Sequence, residues 1–247
     1  MSADAPPRRP AVLVLGASGA LGGTLCEALH ARGARLALTF CAHPEPARAL
    51  AERLGASAHA LDVTDPEAVT RVVTEVDRAL GGLDALVYAA AIATTVPGLY
   101  QRWNDLDASG WDRLFAVNVR GAFLAAQALA RCALPRGANV VFLGSVDGAK
   151  QVPTSVGYAA SKSALTGLAH ALTKDLGPRG LKVNVVAPGL LEGGLSTLVP
   201  EDIRREFLKH GALKRLGRFT EIASVVAWLA VENSYVTGRT IRVDGGL

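Results

Sequence analysis

A regular alternation of short apolar runs with longer amphipathic segments is the feature that most constrains the fold of this chain. The first run, residues 11–15, is continuous, which is typical of a strand buried on both faces of a parallel sheet. The segments between the runs have helical periodicity and are long enough to be the crossovers that parallel strands need. The pattern predicts an α/β fold in one domain, with helices on both faces of a parallel sheet. The predicted strands are residues 11–15, 35–40, 58–63, 83–88, 138–145, 182–187 and 240–243.

The same pattern places the helices and the domain boundaries. Helices are predicted at residues 24–31, 45–54, 111–132, 157–176 and 220–230. A further helix begins at residues 64–67, where a capping residue is followed by a proline and an acid. Residues 1–10 are predicted to be a disordered tail and residues 11–247 a single domain. Residues 190–217 are long for a connection, which favours a mobile flap over a site.

Composition argues against several classes of protein. No run approaches about 18 uncharged apolar residues, so a membrane span is not expected, and the N-terminus lacks the apolar core of a signal peptide. The three scattered cysteines favour a reducing compartment, the cytoplasm, over a disulfide framework. The five histidines have no metal-ligand spacing, so no metal is expected. The net charge of +4, without basic blocks interleaved with aromatics, argues against nucleic acid and suits an acidic or phosphorylated partner.

A serine, a tyrosine and a lysine are the first candidates for chemistry. Tyr158 and Lys162 are four residues apart in a predicted helix, so the ammonium would lie beside the phenol. A nearby positive charge would lower the pKa of the phenol from about 10 and let Tyr158 act as a general acid or base near neutral pH. Ser145 ends a predicted strand, at the edge where open α/β sheets bind ligands. Alone, such a pair is more often a solvated helix surface.

A glycine-rich turn, GASGALG at residues 16–22, joins the first predicted strand to the first helix. Its glycines allow a tight turn and the close approach of a ligand, and the helix N-terminus behind it offers free N–H groups to a pyrophosphate. The alternative is a plain tight turn. The position between a strand and a helix favours phosphate binding.

The end of the second predicted strand bears on the choice of nicotinamide coenzyme. In NAD-binding versions of this unit an acidic residue near this point holds the ribose 2′-hydroxyl. Here Phe40 is followed by no carboxylate before Glu45. His43 and Arg48 could approach a 2′-phosphate, although Arg48 is also readily explained as a solvated helix residue. The sequence therefore favours NADPH over NADH.

Together these motifs resemble the short-chain dehydrogenase/reductase family over essentially the whole chain. The family's Asn, Ser and Tyr-x-x-x-Lys set falls on Asn118, Ser145, Tyr158 and Lys162, at intervals of 27, 13 and 4 residues. The segments VNVVAPG at 183–189 and YVTG at 235–238 also resemble family signatures. The resemblance implies a single-domain, Rossmann-type, doubly wound sheet of seven parallel strands and an NADPH-dependent oxidoreductase that acts on alcohols or carbonyls.

The resemblance also implies a role for each member of this set. Tyr158 would donate a proton to the substrate carbonyl oxygen, and Ser145 would hold that oxygen by a hydrogen bond. Lys162 would bind the nicotinamide ribose and lower the pKa of Tyr158. Asn118 would hold a water molecule in a proton relay.

Coenzyme contacts are implied in the glycine turn, at several predicted strand ends and on the helix of the tyrosine. These residues are Gly16, Ser18, Gly19, Ala20, Leu21, Phe40, His43, Asp62, Val63, Ala89, Ala90, Ala91, Tyr158, Lys162, Pro188, Gly189 and Leu191. The sequence departs from the family pattern nearby. Tyr88 begins a segment that usually reads Asn-Asn-Ala-Gly, and Gly193 stands in place of a threonine for which Ser196 or Thr197 could substitute.

Within the family the chain most resembles bacterial 3-oxoacyl-[acyl-carrier-protein] reductases and related polyketide ketoreductases, through GLKVNVVAPG at 180–189 and LGR at 216–218. This implies a 3-oxoacyl thioester substrate carried by an acyl carrier protein. Arg179 is similar in position to an arginine used near the carrier, and the basic second half of the flap would meet an acidic carrier or a phosphopantetheine.

Two other functions stay open at this point. One is a dehydrogenase of a free small alcohol, sugar or steroid, and the other is a non-catalytic partner subunit of an active reductase. The family resemblance also implies a homo-tetramer, formed through the helices that carry Asn118 and Tyr158, whose alanine-rich faces would allow close contact.

Overall fold

A computed structural model describes residues 8–93, 103–133, 136–150 and 154–247. Seven strands form one parallel sheet in the order β3-β2-β1-β4-β5-β6-β7. They are β1 (Ala11–Leu15), β2 (Arg35–Phe40), β3 (Ser57–Ala60), β4 (Ala85–Tyr88), β5 (Ala138–Leu143), β6 (Leu181–Pro188) and β7 (Thr240–Val243). The predicted fold class is confirmed.

The strand order reverses between β1 and β4, which are neighbours in the sheet although two strands and three helices separate them in the chain. At such a reversal the connections leave in opposite directions, and a crevice opens beyond the carboxyl ends of the two strands. Leu15 and Tyr88 are paired at this end of the sheet. The glycine turn and the segment after β4 therefore face each other across the crevice.

Helices cover both faces of the sheet. They are α1 (Ala20–Ala31), α2 (Pro44–Leu54), α3 (Pro66–Ala79), α4 (Ala108–Phe115), α5 (Gly121–Ala133), α6 (Val156–Leu176), α7 (Glu201–His210) and α8 (Phe219–Val231). Leu25 of α1, Leu50 of α2 and Val226 of α8 belong to one apolar core. Val69 of α3 and Leu165 of α6 belong to the core on the other face. No helix in the described parts of the chain is both long and apolar enough to cross a membrane.

Part of the predicted disordered tail, residues 1–10, is ordered. Residues 1–7 lie outside the described residues, but residues 8–10 pack against the domain. The Arg9 side chain donates to the Gly33 carbonyl over 2.8 Å, and the Arg35 backbone N–H donates to the Pro10 carbonyl over 2.8 Å. Arg8 pairs with Asp84. These contacts extend the ordered domain to residue 8.

The third strand ends earlier than the sequence indicates, at Ala60 rather than residue 63. Asp62, placed in the sequence at the strand's end, instead accepts bonds of 2.8 Å from both the backbone N–H and the hydroxyl of Thr64. This turn leads into α3, which Asp65 caps by accepting from the Glu67 N–H. The prediction of a helix start at residues 64–67 is thus met, but the chain leaves the sheet before Asp62.

The helix predicted at residues 111–132 is interrupted. A π-turn at Ala116–Arg120 separates α4 from α5. The buried Tyr88 side chain donates its hydroxyl to the Val117 carbonyl within this turn. A Cβ on Gly121 would collide with the Tyr88 hydroxyl, so the bond needs a glycine there. Tyr88 therefore joins β4 to this helix, in a segment where the family pattern has asparagines.

The flap at residues 190–217 has structure of its own. It contains a 3-10 turn (Gly194–Leu198) and α7. Its two ends meet in a parallel bridge between Leu191 and Gly217. The Glu192 N–H donates to the Gly217 carbonyl over 3.0 Å, and the Gly217 N–H donates to the Leu190 carbonyl over 2.9 Å. The flap is therefore closed at its base.

Candidate active site

Ser145 lies just beyond the carboxyl end of β5. The Gly144 N–H still bonds the Val186 carbonyl of β6 at 2.8 Å, so the backbone is held by the sheet up to the residue before Ser145. Ser145 then caps a 3-10 turn (Val146–Gly148), and its Oγ accepts from the Asp147 N–H over 3.2 Å. The same hydroxyl donates to Asp147 Oδ2 over 3.1 Å.

Tyr158 and Lys162 lie one turn apart on α6, as predicted. Lys162 is 4% exposed, and its Nζ lies 5.5 Å from the centre of the Tyr158 ring. The ammonium donates to the Leu143 carbonyl at the end of β5 over 2.7 Å. This bond ties α6 to the strand that leads to Ser145, and it brings the three side chains to one place.

The electrostatics of the pair differ from the sequence prediction. Burial raises the pKa of the Tyr158 phenol, and the nearby Asp147 carboxylate raises it further, against a smaller lowering by a hydrogen bond from Ser145. The sequence predicts a lowering by Lys162, whereas the pKa of Tyr158 is raised. Burial instead lowers the pKa of Lys162 to about 8, and the Asp147 charge opposes that shift. The buried ammonium turns towards a carbonyl oxygen, and burial dominates both groups.

The turn that carries Ser145 is clamped against α6. A Cβ on Gly148 would lie 2.5 Å from the Ser163 backbone nitrogen, so only a glycine lets the two segments approach this closely. The Ser163 hydroxyl donates to the Gly148 carbonyl over 3.0 Å. The position of Ser145 and Asp147 relative to Tyr158 is therefore fixed by backbone contacts.

Asn118 is fully buried within the π-turn. Its Oδ1 accepts from the Ile92 N–H over 2.9 Å, and its Nδ2 donates to the Ile92 carbonyl and to the Ser161 hydroxyl, each over 2.9 Å. These bonds connect the segment after β4 to α6. Both N–H groups of the Asn118 amide donate in these contacts. The role of Asn118 in holding a water molecule stays a prediction.

The glycine turn has a conformation that suits a bound pyrophosphate. Gly16 has φ +84°, and a Cβ there would lie 2.6 Å from the Ala90 nitrogen, so glycine is required. The Gly16 N–H is held by the Thr39 hydroxyl of β2 at 3.2 Å. At the N-terminus of α1, Gly19 supplies no side-chain cap and the first turn has no acidic residue. The turn therefore fits a pyrophosphate, with helix N–H groups available to it.

A cavity of about 320 Å³ connects the glycine turn, the segment after β4, the Ser145 turn, α6 and the flap. Twelve predicted site residues line it: Gly16, Gly19, Ala20, Leu21, Ala89, Ala91, Ser145, Tyr158, Lys162, Pro188, Gly189 and Leu191. Seven others lie outside its lining: Ser18, Phe40, His43, Asp62, Val63, Ala90 and Asn118. The structure thus brings together both ends of the predicted site, the phosphate turn and the catalytic side chains.

The residues predicted to contact the adenosine half lie at the ends of β2 and β3. The Arg48 guanidinium lies 5.6 Å from the centre of the Phe40 ring, which holds it beside the end of β2. His43 is exposed and precedes α2. Hydrogen bonds from Thr64 lower the pKa of Asp62, so this carboxyl is an anion that is already partly engaged. Cationic groups near the end of β2 are compatible with a 2′-phosphate.

Several residues of the cavity were not identified from the sequence. Asp147 and Thr154 lie beside the catalytic set, and apolar side chains of the flap and α8 form the opposite wall. That wall contains Leu190, Leu195, Leu198, Val199 and Phe219. The only sequence signal for Asp147 is a charged residue two positions after Ser145, within a run of otherwise uncharged residues.

Ser196 and Thr197 are the predicted substitutes for the threonine that Gly193 replaces in the family pattern. Ser196 lines the cavity, and its Oγ accepts from the Leu191 N–H over 3.0 Å. Thr197 donates to the Gly194 carbonyl over 2.8 Å and lies outside the lining. Ser196 is therefore the better placed of the two predicted substitutes. Among the described residues, no group of three or more His, Cys, Asp or Glu side chains could hold a metal.

Comparisons with known proteins cover nearly the whole chain. A family model described as enoyl-(acyl carrier protein) reductase matches residues 16–247. The chain is 37% identical over 238 residues to the cyclic-di-GMP-binding biofilm dispersal mediator protein of Escherichia coli K12, covering 95% of each. It is 34% identical over 239 residues to the 3-oxoacyl-[acyl-carrier-protein] reductase FabG of the same organism, covering 95% of this chain and 96% of that protein.

Solved structures agree in fold. A short-chain dehydrogenase/reductase from Serratia marcescens superposes with a TM-score of 0.87 at 30% identity, covering 98% of this chain and 99% of that one. The crystal structure of BdcA in complex with NADPH superposes with a TM-score of 0.84 at 35% identity, covering 96% of this chain and 94% of that one.

Proposed function

Because the chain belongs to the short-chain dehydrogenase/reductase family, we propose that it is an NADPH-dependent ketoreductase that reduces a 3-oxoacyl thioester to the 3-hydroxyacyl product. The family makes the protein an oxidoreductase. The observation that carries the narrower proposal is the position of Ser145 and Tyr158. Both side chains line one cavity, which apolar side chains of the flap and of α8 also line.

The chemistry follows from that placement. When bound, NADPH supplies the hydride that adds to the carbonyl carbon. Tyr158 donates its phenolic proton to the carbonyl oxygen, and Ser145 hydrogen-bonds the same oxygen as negative charge develops on it. Lys162, whose Nζ lies 5.5 Å from the centre of the Tyr158 ring, would bind the coenzyme ribose. Because its pKa is raised, Tyr158 carries its proton at neutral pH, but it releases that proton less readily than an ordinary phenol.

NADPH is favoured over NADH by the end of β2. No carboxylate stands between Phe40 and Glu45, and Arg48 is held against the Phe40 ring. A carboxylate at this point would repel a 2′-phosphate, whereas a guanidinium attracts it. The relative BdcA is solved with NADPH, which supports the same assignment for this chain.

An acyl chain suits the apolar wall of the cavity, and an acyl carrier protein suits the basic half of the flap. Arg205, Lys209, Lys214, Arg215 and Arg218 are all exposed on or beside it. Part of this charge is neutralised, because Lys209 lies 3.5 Å from Glu206 and Arg215 pairs with Glu221. The net surface is basic enough to attract an acidic carrier.

Arg179 is not part of this carrier surface within one chain. It lies in a 3-10 turn (Gly177–Arg179) just before β6, at the amino end of the sheet. The cavity is at the carboxyl end, and the eight residues of β6 separate the two by about 25 Å. The similarity in sequence position therefore does not place Arg179 at the entrance to the site.

Two alternatives keep specific support. A dehydrogenase of a free alcohol, sugar or steroid would use the same Ser145 and Tyr158 and differ only in what the flap accepts. A regulatory member of the family is supported by the relative named as a cyclic-di-GMP-binding mediator, to which the chain is 37% identical. Calorimetric titration with cyclic-di-GMP, with and without NADPH, separates that function from a ketoreductase.

We also propose a homo-tetramer in the cytoplasm. The sequence predicts that alanine-rich helix faces form the contact between subunits. Ala122, Ala125 and Ala126 of α5 are instead buried in the core of the single chain, so they are not available for that contact. The large hydrophobic residues that α4 and α5 expose are Trp111 and Phe123, each more than a third exposed. All three cysteines are free, as suits a reducing compartment. Sedimentation decides the assembly: a single 25.6 kDa species would remove the tetramer.

The decisive assay is the oxidation of NADPH, compared with NADH, with a 3-oxoacyl thioester offered free and on an acyl carrier protein. A 2-enoyl thioester is the control for double-bond reduction. Faster loss of NADPH with the carrier-bound 3-oxoacyl substrate supports the proposal. Binding of NADPH without turnover of any thioester would contradict it and favour one of the two alternatives.

A further inference from the structure

We propose that Asp147 is a positioning residue whose carboxylate, while ionised, holds the Ser145 hydroxyl away from the substrate, so that carbonyl reduction accelerates when Asp147 is protonated. Asp147 lines the cavity beside Ser145, Tyr158 and Lys162. It is not one of the four residues to which the reaction was assigned above. The inference rests on the proposed function only in taking Ser145 as the donor to a carbonyl oxygen.

The Ser145 hydroxyl has one proton to donate, and Asp147 accepts it. A serine hydroxyl has one O–H donor and two acceptor lone pairs. Its Oγ accepts from the Asp147 N–H at 3.2 Å. An ionised carboxylate can only accept, so the 3.1 Å contact with Asp147 Oδ2 takes the single Ser145 proton. No donor is left for a substrate oxygen in this arrangement.

The backbone turn that carries Ser145 and Asp147 is rigid. Ser145 and Asp147 share one 3-10 turn, and Gly148 presses that turn against α6. The Ser163 bond to the Gly148 carbonyl holds the contact. The backbone therefore keeps the carboxylate within hydrogen-bonding distance of the Ser145 hydroxyl. Removing the charge from Asp147 weakens the bond that holds the serine proton.

Charged and polar groups of several elements face Asp147. From α6, the ammonium of Lys162 and the phenol of Tyr158 face it. Ser145 and Thr154 add hydrogen bonds. From β6, the charged side chain in the described residues is Lys182, which is paired with Asn139 at the far end of the sheet. Burial outweighs all these and raises the pKa of Asp147, which brings its protonation closer to working pH.

Both effects of the Asp147 charge oppose reduction. It occupies the Ser145 proton, and it raises the pKa of Tyr158, which makes the phenol a weaker acid. Protonation of Asp147 reverses both. Hydrogen bonds to a charged acceptor are about twice as strong as neutral ones, so the release is substantial.

The test compares pH–rate profiles for reduction of a free 3-oxoacyl thioester by wild type, Asp147→Asn and Asp147→Ala. Wild-type kcat should fall as the pH rises through the Asp147 titration. The two variants should lack that limb and exceed wild type by about tenfold at pH 8. Glu192→Gln removes a carboxylate from an exposed flap position outside the cavity lining and should keep the wild-type profile. An Asp147→Asn profile that matches wild type would overturn the proposal.

A measurement without substrate or coenzyme separates this inference from the proposed function. The Asp147 carboxyl carbon is followed by ¹³C NMR during acid titration, with Asp147→Asn to assign the signal. Its midpoint should lie above the ordinary aspartate range, and in Ser145→Ala it should rise further because the hydrogen bond that favours the charged form is gone. An unchanged midpoint in Ser145→Ala would show that the two groups are not coupled, whatever the protein reduces.

Discussion

The hydroxyl of Tyr88 lies where a side chain on Gly121 would have to lie, and from there it donates to the Val117 carbonyl inside the π-turn. One strand residue and one helix residue thereby fix the position of the turn that carries Asn118. Asn118 in turn holds the segment after β4. The wall of the crevice is therefore set by a tyrosine and a glycine that take no part in the reaction.

Gly121→Ala should destabilise the protein by about 1–3 kcal/mol, because the new methyl group must displace the Tyr88 hydroxyl or the turn. Urea unfolding gives the free energy of unfolding. The matched control is Gly167→Ala on α6, where an added Cβ meets open space. That change should stabilise by about 0.5–1 kcal/mol, since alanine has the higher helix propensity. Equal effects of the two substitutions would contradict the packing described for Tyr88.

Tyr158→Phe should lower kcat at least about 100-fold while NADPH still binds, because it removes only the proton donor. Stopped-flow absorbance at 340 nm reports turnover, and quenching of protein fluorescence reports binding. Tyr235→Phe is the control, since that phenol is 94% exposed and outside the cavity lining. Ordinary turnover by Tyr158→Phe would remove Tyr158 from the mechanism.

Because Lys162 is buried, we expect the stability of the protein to depend on pH. Its pKa is lowered by burial to about 8, against an ordinary 10.5. Below pH 8 the folded protein carries a buried charge, and this cost is relieved as the pH rises from 8 towards 10.5. The stability of wild type relative to Lys162→Met should therefore improve by about 3 kcal/mol between pH 7 and pH 10.5. Denaturant unfolding at several pH values measures it, and Lys174→Met, exposed on the same helix, controls for loss of a lysine. A difference that stays constant with pH would show that burial does not perturb Lys162.

Arg48→Gln should weaken NADPH binding about tenfold and leave NADH binding nearly unchanged, because it removes a charge available to the 2′-phosphate. Dissociation constants for both coenzymes give the result. Arg53→Gln is a matched control on α2, where Arg53 pairs with Glu27 instead. Equal losses for NADPH and NADH would indicate a structural role for Arg48 against the Phe40 ring.

Strand ends show how far the sequence could predict the fold. β1, β2 and β7 match the predicted bounds, and β1 is a fully buried apolar run that Gly16 ends. β3 does not, because Leu61 and Val63 are buried in the loop that follows it. An apolar loop residue that reaches the core has the same sequence signature as a strand residue.

Side-chain environment was harder to predict than side-chain position. The four-residue spacing correctly placed Lys162 beside Tyr158, but the direction of the Tyr158 pKa shift depends on burial and on Asp147. Both depend on contacts between distant segments. Asn118 gave no signal of its own, because its partners at Ile92 and Ser161 are 26 and 43 residues away in the chain.

The bridge between Leu191 and Gly217 closes the flap at its base, so the flap can be replaced more easily than a strand or a core helix. Its two ends leave and rejoin the domain at one point, and in its second half the N–H groups of Ala212 and Leu213 donate to the Gly246 and Gly245 carbonyls after β7. Residues 192–206, which precede these bonds and the buried Phe207, are therefore the part in which selection for a new substrate can act while the glycine turn and the tyrosine helix stay as they are. A graft of residues 192–206 from a relative of different specificity is a direct way to change the substrate of this chain.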